Sequence, residues 1–170
     1  MVKKRYTATK WLLALLLGVW AGLLHADPPP KYDFLAYDDG LAQAKKAGKP
    51  VFVYFGRYGC AWCEKTNRET FSDAKLRKLY SDHYVLVYVD TESNKRLTLP
   101  TGERLTEAEL GHRYKIFATP LFAFLDPAGN TLLKVPGFKT VADFRDYDRY
   151  ITGGHYKTQP LLKFLEKSRS

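Results

Sequence analysis

Cysteine is nearly absent. The 170 residues hold two, Cys60 and Cys63, both in one Cys-x-x-Cys. An exported protein is free to form structural disulfides, but this chain has no cysteine to spare for one and must fold on its apolar core. It also lacks a long hydrophobic run. The stretch from Trp11 to Leu24 is apolar-plus-glycine over 14 residues, short of the ~20 that a membrane-spanning helix needs. Acids are missing from the first 26 positions, and no internal repeat is visible. Four of the 27 basic residues and none of the 18 acids fall in those positions, so +5 of the +9 total charge sits on the remainder. There the basic residues are interspersed with acids. That pattern points to solubility and away from nucleic acid as a partner.

What is present suits one domain behind a targeting segment. Lys3, Lys4, Arg5 and Lys10 precede the 14-residue apolar run, and His25-Ala26 and Asp27-Pro28-Pro29-Pro30 follow it. A basic start, a short apolar stretch and a small residue before a breaker read as a secretory signal peptide over residues 1–26. Leu24 is a less favourable residue than Ala at the third position before the cut. A retained anchor facing the periplasm is therefore the alternative, and that segment is then the only membrane contact. Residues 27–33 read as a Pro-rich spacer. With 45% apolar and 15% aromatic residues, the rest can build a core.

The pattern along that core predicts its elements. Asp38 or Asp39 is placed to cap a helix over residues 41–47, stopped by Gly48 and Pro50. Residues 51–55 form a continuous β-rich run expected of a buried strand. A helix follows from 61 to about 70, and Ser72 is placed to cap another through about Ser81. Residues 84–89 read as a second buried strand, and the polar stretch 91–105 as an inserted loop or small hairpin. Thr106 and Glu109 fit a capping box for a helix to about Arg113. Residues 121–125 and 131–135 read as a strand pair across the turn at 126–130. A helix over 141–151 ends at Gly153-Gly154. A terminal helix over about 159–167 is expected to dock Leu161, Leu162, Phe164 and Leu165, within an extension running from 152 to 170. A parallel crossover early and a hairpin late give an α/β fold, a mixed central sheet with helices on both faces.

Cys60-Ala61-Trp62-Cys63 lies between a buried strand and a helix. At a helix N-terminus the dipole and the unpaired amides favour a thiolate on Cys60. Cys63 lies one turn on, where it can close a small disulfide ring and resolve a mixed disulfide. Haem attachment wants His after the second cysteine, and Glu64 stands there. Structural zinc wants four ligands; there is no second cysteine pair, and His83, His112 and His155 are isolated. Two thiolates alone can hold copper, so a metal carrier remains the rival reading.

Three segments carry a family resemblance. They are Phe55-Gly56-Arg57-Tyr58-Gly59-Cys60-Ala61-Trp62-Cys63, then 118–129 beginning Ala118-Thr119-Pro120-Leu121, then Val135-Pro136-Gly137-Phe138. In this order the chain resembles the thioredoxin superfamily over about residues 34–151. Within it, the chain is most similar to periplasmic thioredoxin-like proteins of the SoxW type. The resemblance implies a thioredoxin-like fold and a cis Pro120 packed beside the cysteine pair. It implies that Thr119 offers backbone groups to an extended substrate segment, a form of strand addition. It also suggests a link to sulfur-compound oxidation.

Two departures stand out. Many thioredoxins carry a buried acid six residues before the first cysteine, where this chain has Tyr54; proton relay must then come from water or a group such as Glu64. Ala61-Trp62 is neither the Gly-Pro of common thioredoxins nor the Pro-His of strong oxidants. It adds no positive charge, so the Cys60 thiolate is expected to be moderately stabilised, as suits a reductase.

The remaining candidates have modest readings. Arg57 could assist the thiolate, though a loop arginine is usually just solvated. Trp62 is a candidate docking surface. Tyr54, Phe55, Phe122 and Phe124 default to core, and His112 to the surface. The expected partners are protein or small-molecule disulfides and a membrane electron donor, with no organic cofactor or metal implied.

Overall fold

The computed structural model describes residues 28–169. The segment expected to be a signal peptide lies outside them. The chain begins with α1 (Tyr37–Ala47), β1 (Val51–Gly56), α2 (Ala61–Glu69) and α3 (Ala74–His83). Next come β2 (Val85–Asp90), a small hairpin of β3 (Arg96–Thr98) and β4 (Arg104–Thr106), and α4 (Glu107–Arg113). β5 (Leu121–Leu125), β6 (Thr131–Pro136), α5 (Val141–Thr152), a 3-10 turn (His155–Lys157) and α6 (Leu161–Arg169) complete it.

The main sheet runs β2-β1-β5-β6. β1 and β2 are parallel, joined through α2 and α3, while β5 is antiparallel to both β1 and β6. The strand pleat sorts the side chains into two layers, because successive residues point to opposite faces. Phe52, Tyr54, Leu86, Phe122 and Phe124 face one side and meet Phe71, Leu76, Tyr80 and Phe144 from α3, α5 and the turn after α2. Val51, Val53, Phe55, Val85, Val87 and Ala123 face the other and meet Leu41 and Ala44 of α1, Leu97 and Leu105 of the hairpin, and Leu110 of α4. The first layer is a mesh of aromatic edges and faces, such as Phe122 against Phe144 at 4.9 Å. Burying each such ring contributes about 1.5–3 kcal/mol. With no cysteine outside the Cys60–Cys63 pair, this layer supplies stabilisation that no further cross-link can give. Against the second layer α1 lies very close: a Cβ at Gly40 would stand 2.2 Å from a Val87 methyl carbon.

Several local details differ from expectation. Asp38 and Asp39 sit inside the first turn of α1, whose cap is Ala36 with no side-chain bond. Asp38 instead accepts the Thr98 N–H at 3.0 Å and ties the hairpin to α1. Asp73, not Ser72, caps α3, its carboxylate accepting from the Leu76 N–H at 2.6 Å. Ser72 Oγ donates back to the Arg68 carbonyl of the preceding helix, and an ionised acceptor makes the stronger cap. Tyr32, within the stretch read as a spacer, is buried and packs edge-on to Phe71. On α6, Phe164 is buried but Leu162 is 74% exposed. Positions 161, 164 and 165 form the i, i+3, i+4 stripe, and 162 falls off it. The Thr106–Glu109 capping box forms in both directions.

Candidate active site

β1 ends at Gly56, and the loop after it delivers Cys60 as the N-cap of α2. Cys60 Sγ accepts the Cys63 N–H at 3.1 Å, and the Cys60 carbonyl accepts the Glu64 N–H at 3.0 Å. The sulfur therefore faces the amides and the positive end of the helix dipole, the position that favours a thiolate. Cys60 and Cys63 are joined in a disulfide, with Cα atoms 5.2 Å apart. Both are buried, Cys60 at 4% and Cys63 at 2% exposure, so burial barely separates them. What distinguishes them is that Cys60 holds the capping position.

The loop entering β5 closes the other side. The Thr119–Pro120 peptide bond is cis, and the Pro120 carbonyl accepts the Gly137 N–H at 2.8 Å at the end of β6. Thr119 Oγ1 donates to Cys60 Sγ at 3.1 Å. The family resemblance singles out the backbone of Thr119, but nothing in the sequence marks its hydroxyl as a donor to the first sulfur. That contact depends on how β5 is set against β1, a long-range pairing that no local pattern reveals.

Beneath the pair, Tyr54 occupies the position of the acid found in many thioredoxins. Its hydroxyl lies 3.2 Å from Asn67 Oδ1 and 3.4 Å from the Cys63 carbonyl. Burial pushes its phenol above the usual range, so it stays neutral. Glu64 is exposed in the first turn of α2.

Around the mouth stand large apolar groups left in solvent: Tyr58 at 56%, Trp62 at 58% and Phe117 at 94% exposure. Lys65 Nζ lies 5.2 Å from the Trp62 ring centre and 4.7 Å from that of Phe138, clipping the two rings together. Arg57 makes no hydrogen bond to Cys60. Its guanidinium reaches Glu92 and the Tyr58 carbonyl, both at 3.4 Å. The structure thus brings Cys60, Cys63, Thr119 and Pro120 together and places Trp62 at the rim. Phe117, Phe138 and Glu92 were missed in the sequence. Phe117 sits in an aperiodic link, where an exposed aromatic looks the same as a core one.

The thioredoxin-like domain family matches residues 37–152. The chain belongs to that family. Among similar proteins of this thioredoxin-like kind is the thiol:disulfide interchange protein DsbD of Ralstonia nicotianae, 29% identical over 63% of this chain and 16% of that protein. The disulfide bond reductase DsbH of Chlamydia pneumoniae is 27% identical over 61% of each chain. The chain spans less than two thirds of either relative. A thioredoxin-fold protein from Helicobacter pylori superposes with a TM-score of 0.64 at 23% identity, covering 71% of this chain and 82% of that one. Among the described residues, no helix is long and apolar enough to cross a membrane.

Proposed function

We propose that this protein is an extracytoplasmic thiol–disulfide oxidoreductase that runs chiefly as a reductase. The single observation that carries the reading is the Cys60–Cys63 disulfide at the N-terminus of α2, with the Thr119 hydroxyl 3.1 Å from the first sulfur. In the reduced protein the Cys60 thiolate attacks a substrate disulfide. A Cys60–substrate bond forms, the substrate bond breaks, and one thiolate leaves and takes up a proton. Cys63, deprotonated, attacks Cys60 Sγ and expels the second thiolate. The protein pair ends oxidised by two electrons and the substrate reduced.

Thr119 and Pro120 form the substrate-side wall. Neither the N–H nor the C=O of Thr119 has a backbone partner among the described residues, which leaves both for an extended segment. Trp62 is the exposed docking surface. The names of the DsbD and DsbH relatives favour disulfide substrates, and the second favours the reducing direction. An exported reductase has no direct access to cytosolic reductant, so a membrane electron donor regenerates it. The SoxW-type resemblance supports a link to sulfur-compound oxidation. The rival copper carrier would use the two thiolates alone, and copper titration of the reduced protein beside the disulfide-reduction assay separates the two readings.

The test is insulin-disulfide reduction with dithiothreitol as electron source. The wild type turns over and Cys60→Ser does not. Background turnover by the wild type, or full activity in Cys60→Ser, refutes the reading.

A further inference from the structure

A cleft of about 270 Å³ opens beside the cysteine pair, with Thr119 as its shared wall. Gly111 of α4 and Phe117 line it, and Arg57, Glu92 and His112 are its ionisable groups. Arg57 and Glu92 pair at only 3.4 Å, with side chains 44% and 58% exposed. A guanidinium carries five N–H donors in a fixed fork. Both hydrogen bonds of Arg57 come from Nη1, which leaves the Nη2 and Nε side without a protein partner among the described residues. The His112 ring likewise has no hydrogen-bond partner among them.

We propose that this cleft selects small disulfides carrying a carboxylate close to the sulfur, with Arg57 as the residue that reads the charge. The proposal rests on the oxidoreductase reading above. The free edge of the fork matches a carboxylate bidentately. Glu92 is the weak internal stand-in that such a ligand displaces. Phe117, 94% exposed, offers an apolar flank for the ligand's carbon chain. The cleft adjoins Thr119, so a ligand anchored at Arg57 reaches toward Cys60 Sγ. Chemistry then follows the two exchanges already described, with electrons from the assay dithiol.

The experiment compares two small disulfides of opposite charge, 3,3′-dithiodipropionate and cystamine, on the full protein. Attraction of one and repulsion of the other by a half-exposed guanidinium gives a kcat/KM ratio of about tenfold in favour of the dianion. The difference lies mainly in KM and shrinks at high salt. Arg57→Gln brings the ratio to about one or below, since the carboxylate of Glu92 is then left to favour the dication. Glu92→Gln, which frees Arg57 and removes a competing carboxylate, raises it by about threefold. The two variants move the ratio in opposite directions, which general destabilisation cannot do. A wild-type ratio near one, or equal shifts in both variants, overturns the proposal while leaving the oxidoreductase reading intact. No turnover of either compound or of insulin overturns both.

Discussion

Replacing Thr119 by valine keeps the shape of the side chain and removes one hydroxyl. In the disulfide form that hydroxyl points at Cys60 Sγ from 3.1 Å. On reduction the same geometry gives an O–H donor to a thiolate, and a hydrogen bond to a charged group contributes about 1.5–3 kcal/mol. Thr119 is half-buried, so the lower end applies. About 1.4 kcal/mol is a tenfold change in ionisation. Losing the donor disfavours the charged form, so the Cys60 pKa rises in Thr119→Val and the thiolate fraction at acidic pH falls about tenfold. Nucleophilicity moves the other way. With a Brønsted slope of about 0.4–0.5, each remaining thiolate reacts about threefold faster. The variant should therefore be alkylated by iodoacetamide about threefold more slowly than wild type at acidic pH and about threefold faster at alkaline pH. The two pH profiles cross. The same free energy, taken from the reduced state, makes the potential about 30 mV more negative. Thr119→Ser restores both. Parallel profiles, or an unchanged potential with glutathione, refute the assignment of the hydroxyl.

Two further outcomes are expected. Glu107, in the first turn of α4, is buried, and burial raises its carboxyl pKa above the ordinary 4.5 despite a Ser93 hydrogen bond. A native state that holds this proton more tightly gains most below pH 4.5 and loses that contribution as pH rises through the raised value. Glu107→Gln should then raise Tm relative to wild type at neutral pH, with the gain fading on acidification; a gain independent of pH refutes the burial argument. If residues 1–26 are a cleaved signal peptide, the protein isolated from cells should begin at Asp27 by N-terminal sequencing, and an intact Met1 in the membrane fraction would establish the anchor instead.

The strands were legible because they are short, continuous and apolar, and the mixed character of the sheet followed from one crossover and one hairpin; its order, with β5 beside β1, did not. The two cysteines were legible as a pair because spacing alone puts them on one turn. Caps were harder. Thr106 shows itself through Glu109 at the right distance, but Ser72 and Asp73 are adjacent and both suitable, and only the path of the chain decides between them. The site's second half was legible by resemblance alone, since Thr119 and Cys60 are 59 positions apart. The Trp62–Lys65–Phe138 clip and the exposed Phe117 left no local trace. Nothing in the sequence separates a phenylalanine at 94% exposure from a core one.

Tyr54 connects the aromatic layer to the chemistry. A carboxylate at this position would bring a buried negative charge beneath the sulfurs, and its proton would be available to the resolving thiol. A phenol whose pKa burial has raised does neither. It has one proton to donate, shared between Asn67 and the Cys63 carbonyl. It holds the first turns of α2 onto the sheet without adding a charge. The buried acids among the described residues are engaged elsewhere: Asp146 with Arg149, Asp148 with His83, and Glu107 in the loop around Ser93. The groups set against Cys60 Sγ are therefore the helix terminus and the Thr119 hydroxyl, while Arg57 and Glu92 stand at the rim without a hydrogen bond to it. No buried acid is left to deprotonate Cys63, which leaves water or a surface group such as the exposed Glu64. In the proposed reaction a substrate passes the rim groups on its way to the sulfur, so charge selection at Arg57 and thiolate stabilisation at Cys60 would act on the same molecule.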